Sequence, residues 1–509
     1  MIDIRDWIAS HAYRRPESIA QVDYATGRQF SYLQMHERVS HIAGHLRNIE
    51  GLDVGQVVAV LGNNASDVFD IDFACGRIGS IFFPMNTRLA APELAFQIDD
   101  AQPAVMFVGA GFEDLAADAI AQAKTKPTVI AFGENTSKPH LEDIATTGPK
   151  IEKAEQRSPN DGWTLIYSSG TTGRPKGVLH THGGVTMQAQ ANCVPLGLGP
   201  KSCGLTFLPL FHISGLNIFG HAMFYAGATQ VTMDRFDPQA VLKAISDPTL
   251  GVSHFSGVPT IFEMIAQMPG FAEADTSSVK GAFVGGAPST ESLLKTYAAK
   301  GMPLIQGYGL TETGPTLTVL DADDAVRKIG SAGKLIMHVD MRVVRSDGTM
   351  AEIGEIGEII AKGPSVISEY FRRPEAQETS FLDGWLRTGD MGRFDEEGFL
   401  FIIDRKKDMF ISGGENVYPA EVENCIAELD DVVQVAVIGI ADDKWGEVGA
   451  ACIVKRPGSA LNEDDVIRHC EGRIARYKIP KRVEFFDALP LGGTGKVLKG
   501  ELRKLLDAR

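Results

Sequence analysis

Between residues 167 and 177 the chain reads Tyr-Ser-Ser-Gly-Thr-Thr-Gly-Arg-Pro-Lys-Gly. Three glycines, four hydroxyls and a lysine between apolar runs describe a loop whose backbone N–H groups can face phosphate oxygens. Gly170 and Gly173 permit close approach, Ser168, Ser169, Thr171 and Thr172 donate hydrogen bonds, and Lys176 supplies charge. The spacing is not the G-x-x-x-x-G-K-[ST] of P-loop NTPases. Its flanks, 164–167 and 178–181, both read as strands, so the loop joins strands and lacks a helix N-terminus. Such a composition also suits a plain flexible turn, but the length and polar density of this loop favour phosphate. Other chemistry-bearing groups are scattered: Glu312 after Thr311, Asp390 ending a Trp-Leu-Arg-Thr-Gly-Asp turn, Lys496 in a glycine-rich turn, and His212 among apolar residues. Read singly, these are a solvated loop charge, a turn-stabilising aspartate, an exposed hairpin lysine and a core histidine.

The elements that must position these groups alternate between helix and strand, which points to α/β architecture. Residues 57–61 (Val-Val-Ala-Val-Leu) read as a buried strand before a Gly-Asn-Asn turn. Residues 279–284 are strand-like and end in Gly285, Gly286, Ala287 and Pro288. A helix with Leu293, Leu294, Tyr297 and Ala298 on one face follows. A second strand, 303–306, then ends in Gly307, Tyr308 and Gly309. Both glycine-rich turns come after strands, where open α/β sheets collect ligands. The texture changes at the charged residues 405–408, beyond which a compact α+β pattern restarts. Pro419 opens a helix carrying Val422, Cys425, Ile426 and Leu429. Strands at 433–440 and 449–455 follow, then a helix bearing Val466, Ile467, Cys470 and Ile474.

Composition narrows the function class. At 509 residues, two or three domains are expected. The net charge of −16 opposes nucleic acid and anionic lipid. A polyanionic small molecule is still admissible, because a distant field is screened beyond about 10 Å. Six scattered cysteines form no metal or disulfide pattern and fit a reducing compartment. The acidic residues near the start do not resemble a signal peptide, and no run approaches the ~20 apolar residues of a membrane span. A cytoplasmic location is expected, with no integral membrane segment; a homodimer stays open as the quaternary state.

The loop at 167–177 resembles the signature phosphate loop of the adenylate-forming superfamily, which includes acyl-CoA synthetases, peptide-synthetase adenylation domains and beetle luciferases. Six further stretches resemble that family in its order: 208–215, 285–288, 306–312, 384–390, 404–423 and 493–496. The run Ser-Gly-Gly-Glu-Asn-Val-Tyr-Pro-Ala-Glu at 412–421 is similar to bacterial fatty acyl-CoA and aryl-CoA synthetases. The resemblance implies a large multi-subdomain N-terminal domain, 1–404, and a small mobile α+β C-terminal domain, 405–509. It implies ATP, Mg²⁺ and coenzyme A as co-substrates and a small-molecule carboxylic acid as acyl donor.

Residue by residue, the resemblance makes Glu312 the Mg²⁺ carboxylate and Thr311 a phosphate ligand. Tyr308 takes adenine, and Gly285, Gly286 and Ala287 wall the purine pocket beside Gln306, Gly307 and Gly309. Asp390 and Arg405 hold the ribose, and Lys496 bridges carboxylate and α-phosphate. The small domain rotates at Lys407 and presents Gly413 and Gly414 to a pantetheine tunnel. His212 gates the acyl and thiol paths sterically. The basic residues 473–481 meet CoA phosphates or form a solvated helix end. By the same resemblance the acyl pocket is lined by 212–220, 255–259, Gly285, Gly309 and 330–333. These residues are mostly apolar or small, which favours an apolar monocarboxylic acid. Ser214 stands where hydroxycinnamate ligases carry an aromatic residue. A medium- or long-chain fatty acid is therefore preferred, and an aromatic or arylpropenoic acid is second. Rival readings are a carrier-protein-loading adenylation enzyme, a luciferase-type oxygenase and a non-catalytic sensor.

Overall fold

The computed structural model describes residues 6–507 apart from 136, 156, 169–174, 288, 407, 413–414, 443 and 493–496. The chain divides into two compact units, Met1–Asp340 with Ala361–Leu386 and Met341–Ile360 with Arg387–Arg509. The boundary expected at 404/405 falls inside the second unit.

The first unit carries two large sheets. One runs in the order Thr128–Phe132, Pro103–Gly109, Val57–Leu61, Ile81–Pro84, Gly162–Ser168 and Lys176–Thr181. All neighbours are parallel except the last pair. Val57–Leu61 is buried along its whole length, so its sequence is continuously apolar. The second sheet contains the parallel run Leu304–Tyr308, Gly281–Gly285, His254–Gly257, Cys203–Thr206, Thr229–Thr232 and Ile19–Asp23. The helix Ser66–Ile78 touches strands of both sheets, which is why it is buried almost all round.

In the second unit, Val432–Asp442 and Gly446–Lys455 pair antiparallel along their lengths, and Arg482–Phe485 lies parallel to the latter. Strand alternation separates two small cores. Val437, Ala451 and Ile453 pack with Val422, Ile426 and Val466, whereas Ala436, Ile438, Ala450 and Cys452 pack with Leu502 and Leu506. Pro419 opens the helix Pro419–Ala427 as expected. The next helix, Glu463–Cys470, stops before Ile474, a correction to the sequence reading. Gly472, at φ +76°, turns the chain there, and Ile474 meets the same core from beyond the helix. Asp390 also differs: it lies within the strand Trp385–Phe394 and does not end a turn.

None of the six cysteines is in a disulfide, and all but Cys193 are buried. Among the described residues no helix is long and apolar enough to cross a membrane.

Candidate active site

The antiparallel pair Gly162–Ser168 and Lys176–Thr181 brings Ser168 opposite Lys176 and Tyr167 opposite Gly177. The loop therefore joins strands, as its flanks predict. Ser169, Gly170, Thr171, Thr172 and Gly173 lie outside the described residues.

At the stem of this loop, Ser168 Oγ donates to Glu312 Oε1 at 3.1 Å. Tyr370 OH donates to the same oxygen, also at 3.1 Å. The Tyr370 ring lies under Lys176, whose Nζ is 4.8 Å from its centroid. Burial, and then the Glu312 carboxylate, push the Tyr370 phenol well above its ordinary range, so it stays protonated and donates. Backbone contacts fix Tyr370: it bridges Val178, and Phe371 N donates to Gly177 O at 2.8 Å. Tyr167 OH donates to Asp100 Oδ2 at 2.7 Å, and Arg373 pairs with the same carboxylate. The sequence reading missed Tyr370. The aromatic–basic run Tyr-Phe-Arg-Arg at 370–373 is the one local signal that could have found it.

Glu312 sits in the short 3₁₀ turn Thr311–Thr313, and Ile367 N donates to its carbonyl at 3.0 Å. The turn leaves no room for side chains before it. A Cβ on Gly309 would lie 1.7 Å from Pro315 O. Gly285 and Gly307 face each other on parallel strands, and a Cβ on Gly307 would lie 2.0 Å from the Phe283 ring. The groups at 285–287 and 306–309 are thus gathered at the C-terminal ends of adjacent parallel strands, where both edges are flat for lack of bulk. Gln306 Nε2 is buried there with no hydrogen-bond partner among the described residues, a donor suited to a heteroaromatic base.

His212 bonds Ser214 through Nδ1 and Oγ at 2.7 Å, at the mouth of the π-helix Ser214–His221. Gly215 is obligatory there, since a Cβ would lie 2.4 Å from Pro209 O. This explains the glycine that closes the 208–215 stretch.

In the second unit, Asp390 is buried and lies opposite Arg405 on neighbouring strands, with Arg405 Nε 3.2 Å from Asp390 Oδ1. The sequence reading paired these two residues. The Asp404 carboxylate accepts from Arg405 N at 2.6 Å and Ala420 N at 2.7 Å, tying the strand Leu400–Arg405 to the helix Pro419–Ala427. Lys407, Gly413, Gly414 and Lys496 lie outside the described residues.

Magnesium binding to nucleotide phosphates needs one or two protein carboxylates. Glu312 fits: its Oε1 is held by two hydroxyl donors, while no hydrogen bond to Oε2 occurs among the described residues. No dedicated three-ligand metal cluster occurs among them either.

The chain matches the AMP-binding enzyme family model over residues 8–371 and the AMP-binding enzyme C-terminal domain model over 421–496. It is 38% identical over 495 residues to the long-chain-fatty-acid–CoA ligase FadD13 of Mycobacterium tuberculosis, covering 97% of this chain and 96% of that one. It is also 38% identical over 511 residues to the indoleacetate–CoA ligase of Aromatoleum aromaticum, covering 99% and 98%. Among solved structures, ATP-bound MatB from Rhodopseudomonas palustris superposes with a TM-score of 0.91 at 30% identity, covering 99% of each chain.

Proposed function

The chain belongs to the AMP-binding enzyme family, as one of its AMP-forming acyl- or aryl-CoA ligases, and on that premise we propose that its acid is a medium- or long-chain fatty acid. ATP with Mg²⁺ and coenzyme A are the co-substrates. The observation that carries the chemistry is the Ser168–Glu312–Tyr370 cluster with Lys176 at the phosphate loop.

Adenylation joins two anions: a carboxylate oxygen attacks the α-phosphate and pyrophosphate leaves. The protein's work is charge neutralisation and alignment, so no side-chain nucleophile is required. Lys176 and the loop hydroxyls offset phosphate charge. Glu312, held by Ser168 and Tyr370, would hold Mg²⁺, which supplies further charge neutralisation on the phosphates. Thr311 bonds phosphate oxygens. The glycine-lined strand ends and Tyr308 take adenine, and Asp390 with Arg405 takes the ribose hydroxyls. Lys496 bridges the reacting carboxylate and α-phosphate. In the second half-reaction the CoA thiol attacks the acyl carbonyl and AMP leaves. For this step the C-terminal domain turns at Lys407 and offers Gly413 and Gly414 to the pantetheine, with His212 as a steric gate.

Support for a fatty acid is chemical. Residues 212–220 and 255–259 contain no Lys or Arg that could meet a second carboxylate. The helix Ser214–His221 and the strand ending in Phe255, Ser256 and Gly257 are buried and mostly apolar. An aromatic acid is the second reading, favoured by the equal identity to the indoleacetate ligase. A cytoplasmic homodimer completes the proposal; the location is supported by six cysteines that form no disulfide, and the dimer is checked by sedimentation.

The test is AMP release from the purified protein with ATP, Mg²⁺ and a panel of fatty and aromatic acids, with and without CoA. CoA-dependent AMP that grows with aliphatic chain length is expected. Turnover only with aromatic acids would overturn the fatty-acid reading. Pyrophosphate exchange without CoA-dependent turnover would indicate carrier loading, and silence across the panel would indicate a sensor.

A further inference from the structure

The first unit contains a buried charged group that the chemistry above does not use. His221 and Asp72 are 1% and 0% exposed at their side chains and meet Nε2 to Oδ2 at 2.6 Å. His221 Nδ1 lies 2.9 Å from Asn217 Oδ1, and Asn217 Nδ2 donates to Gly314 O at 3.2 Å.

Hydrogen-bond chemistry orients this chain of contacts. The Gly314 carbonyl can only accept, so Asn217 must turn its NH₂ toward it and its oxygen toward His221. Nδ1 of His221 therefore carries a proton. A second proton lies in the short Nε2–Oδ2 contact. Both ring nitrogens of His221 are thus engaged, one by Asn217 and one by Asp72. Aromatic rings enclose the histidine: Trp163 is 4.9 Å away and tilted by 38°, with Trp7 at 6.0 Å and Phe73 at 5.9 Å edge-on.

Burying such a pair is costly, and an apolar replacement of similar volume is often neutral or stabilising. Its better-attested use is to specify one geometry. Here the geometry is that of the turn bearing Thr311 and Glu312. Gly314 ends this turn at φ +97°, and a Cβ on it would meet Ser365 at 2.9 Å. The backbone is thus confined on the Ser365 side, and its carbonyl is held by Asn217. The π-helix Ser214–His221 supplies the lever, since it carries both Asn217 and His221. Wide helical turns of this kind recur at functional sites.

We infer that Asn217, oriented by the buried His221–Asp72 pair, is a positioning residue that sets the Thr311–Glu312 turn for adenylation. The inference rests on the ligase reading above. Glu312 is then gripped twice: its carboxylate by Ser168 and Tyr370, its backbone turn by Asn217.

The test compares Asn217→Ala and Asn217→Asp in the full chain. The first deletes the donor. The second keeps an acceptor for His221 but sets a carboxylate against the Gly314 carbonyl. ATP–pyrophosphate exchange is measured against Mg²⁺ concentration, thioester formation is measured from supplied acyl-adenylate, and Tm is recorded for each variant. Exchange should fall roughly 5–10-fold in Asn217→Ala, as expected for one lost buried hydrogen bond. The Mg²⁺ concentration for half-maximal rate should rise, and thioester formation should be retained. Asn217→Asp should be worse in exchange alone. Unchanged exchange and Mg²⁺ dependence in Asn217→Ala would overturn the inference, as would an equal loss in both half-reactions with a lowered Tm. A wild-type chain that neither exchanges pyrophosphate nor forms thioester would overturn the ligase reading itself.

Discussion

The glycine-lined strand ends of the first unit and the Asp390–Arg405 hairpin of the second are fixed by different forces. In the first, shape decides: Gly307 and Gly309 have no space for even a methyl group. In the second, charge decides: Asp390 is buried, yet Arg405 is 43% exposed, and a Cβ on neighbouring Gly389 would meet nothing within 4 Å. A steric site fails abruptly when altered, whereas an electrostatic one weakens by degrees.

Gly307→Ala and Gly389→Ala give the sharpest contrast. The first forces a methyl into the Phe283 ring, an overpacking cost of about 1–3 kcal/mol or more. It should abolish adenylation, read as AMP release. The second meets only the strain of φ +71° and should keep most activity. Similar losses in both would break the distinction.

Glu312→Gln removes the charge offered to Mg²⁺ while keeping an acceptor for Ser168 and Tyr370. A drop in kcat on the order of 100-fold is expected, by analogy with deleting one electrostatic stabiliser of a transition state. Steady-state kinetics at saturating Mg²⁺ check it. Asp390→Asn should raise KM for ATP roughly 10-fold while changing kcat less, because a ribose contact is made in ground and transition states alike. Tyr370→Phe retains the ring beneath Lys176 and loses one donor to Glu312. Roughly 10-fold in kcat/KM is expected, the lower end for one hydrogen bond to a charged acceptor that keeps a second donor.

A separate effect concerns stability against acid. Burial lowers His180 to about 4 and His182 to about 3, the latter stacked on Trp163 at 4.9 Å. Both are neutral when folded, so the unfolded chain binds more protons below its ordinary histidine value of about 6.5. Their contribution is present in full above that pH and is lost as pH falls toward 3–4. The slope is at most about 1.4 kcal/mol per pH unit for each ring. Denaturant midpoints between pH 7 and 5 should fall less in His182→Phe than in wild type.

The legible parts of the sequence were those with local causes. The strand–turn–helix–strand unit around 281–308 announced itself because glycines follow short apolar runs, and the observed strands Gly281–Gly285 and Leu304–Tyr308 lie within two residues of expectation. The strand-to-strand setting of the phosphate loop was legible for the same reason. Tyr370 was not, because its pairing with Val178 and Glu312 joins segments distant in sequence. Asn217 and His221 share one helix, but Asp72 comes from another far away in sequence, so no local pattern joins the three. The overrun to Ile474 came from apolar spacing continuing past Gly472, where periodicity gives no sign of the turn.

An enzyme that makes mixed anhydrides and thioesters must avoid acylating itself. Burial raises the Cys75, Cys193, Cys203, Cys425 and Cys470 thiols, with Cys193 and Cys203 at about 11 and Cys470 at about 12. Near neutral pH these sulfurs are held as thiols and withheld from activated acyl groups. The thiolate of an incoming coenzyme A therefore meets no rival from these five positions.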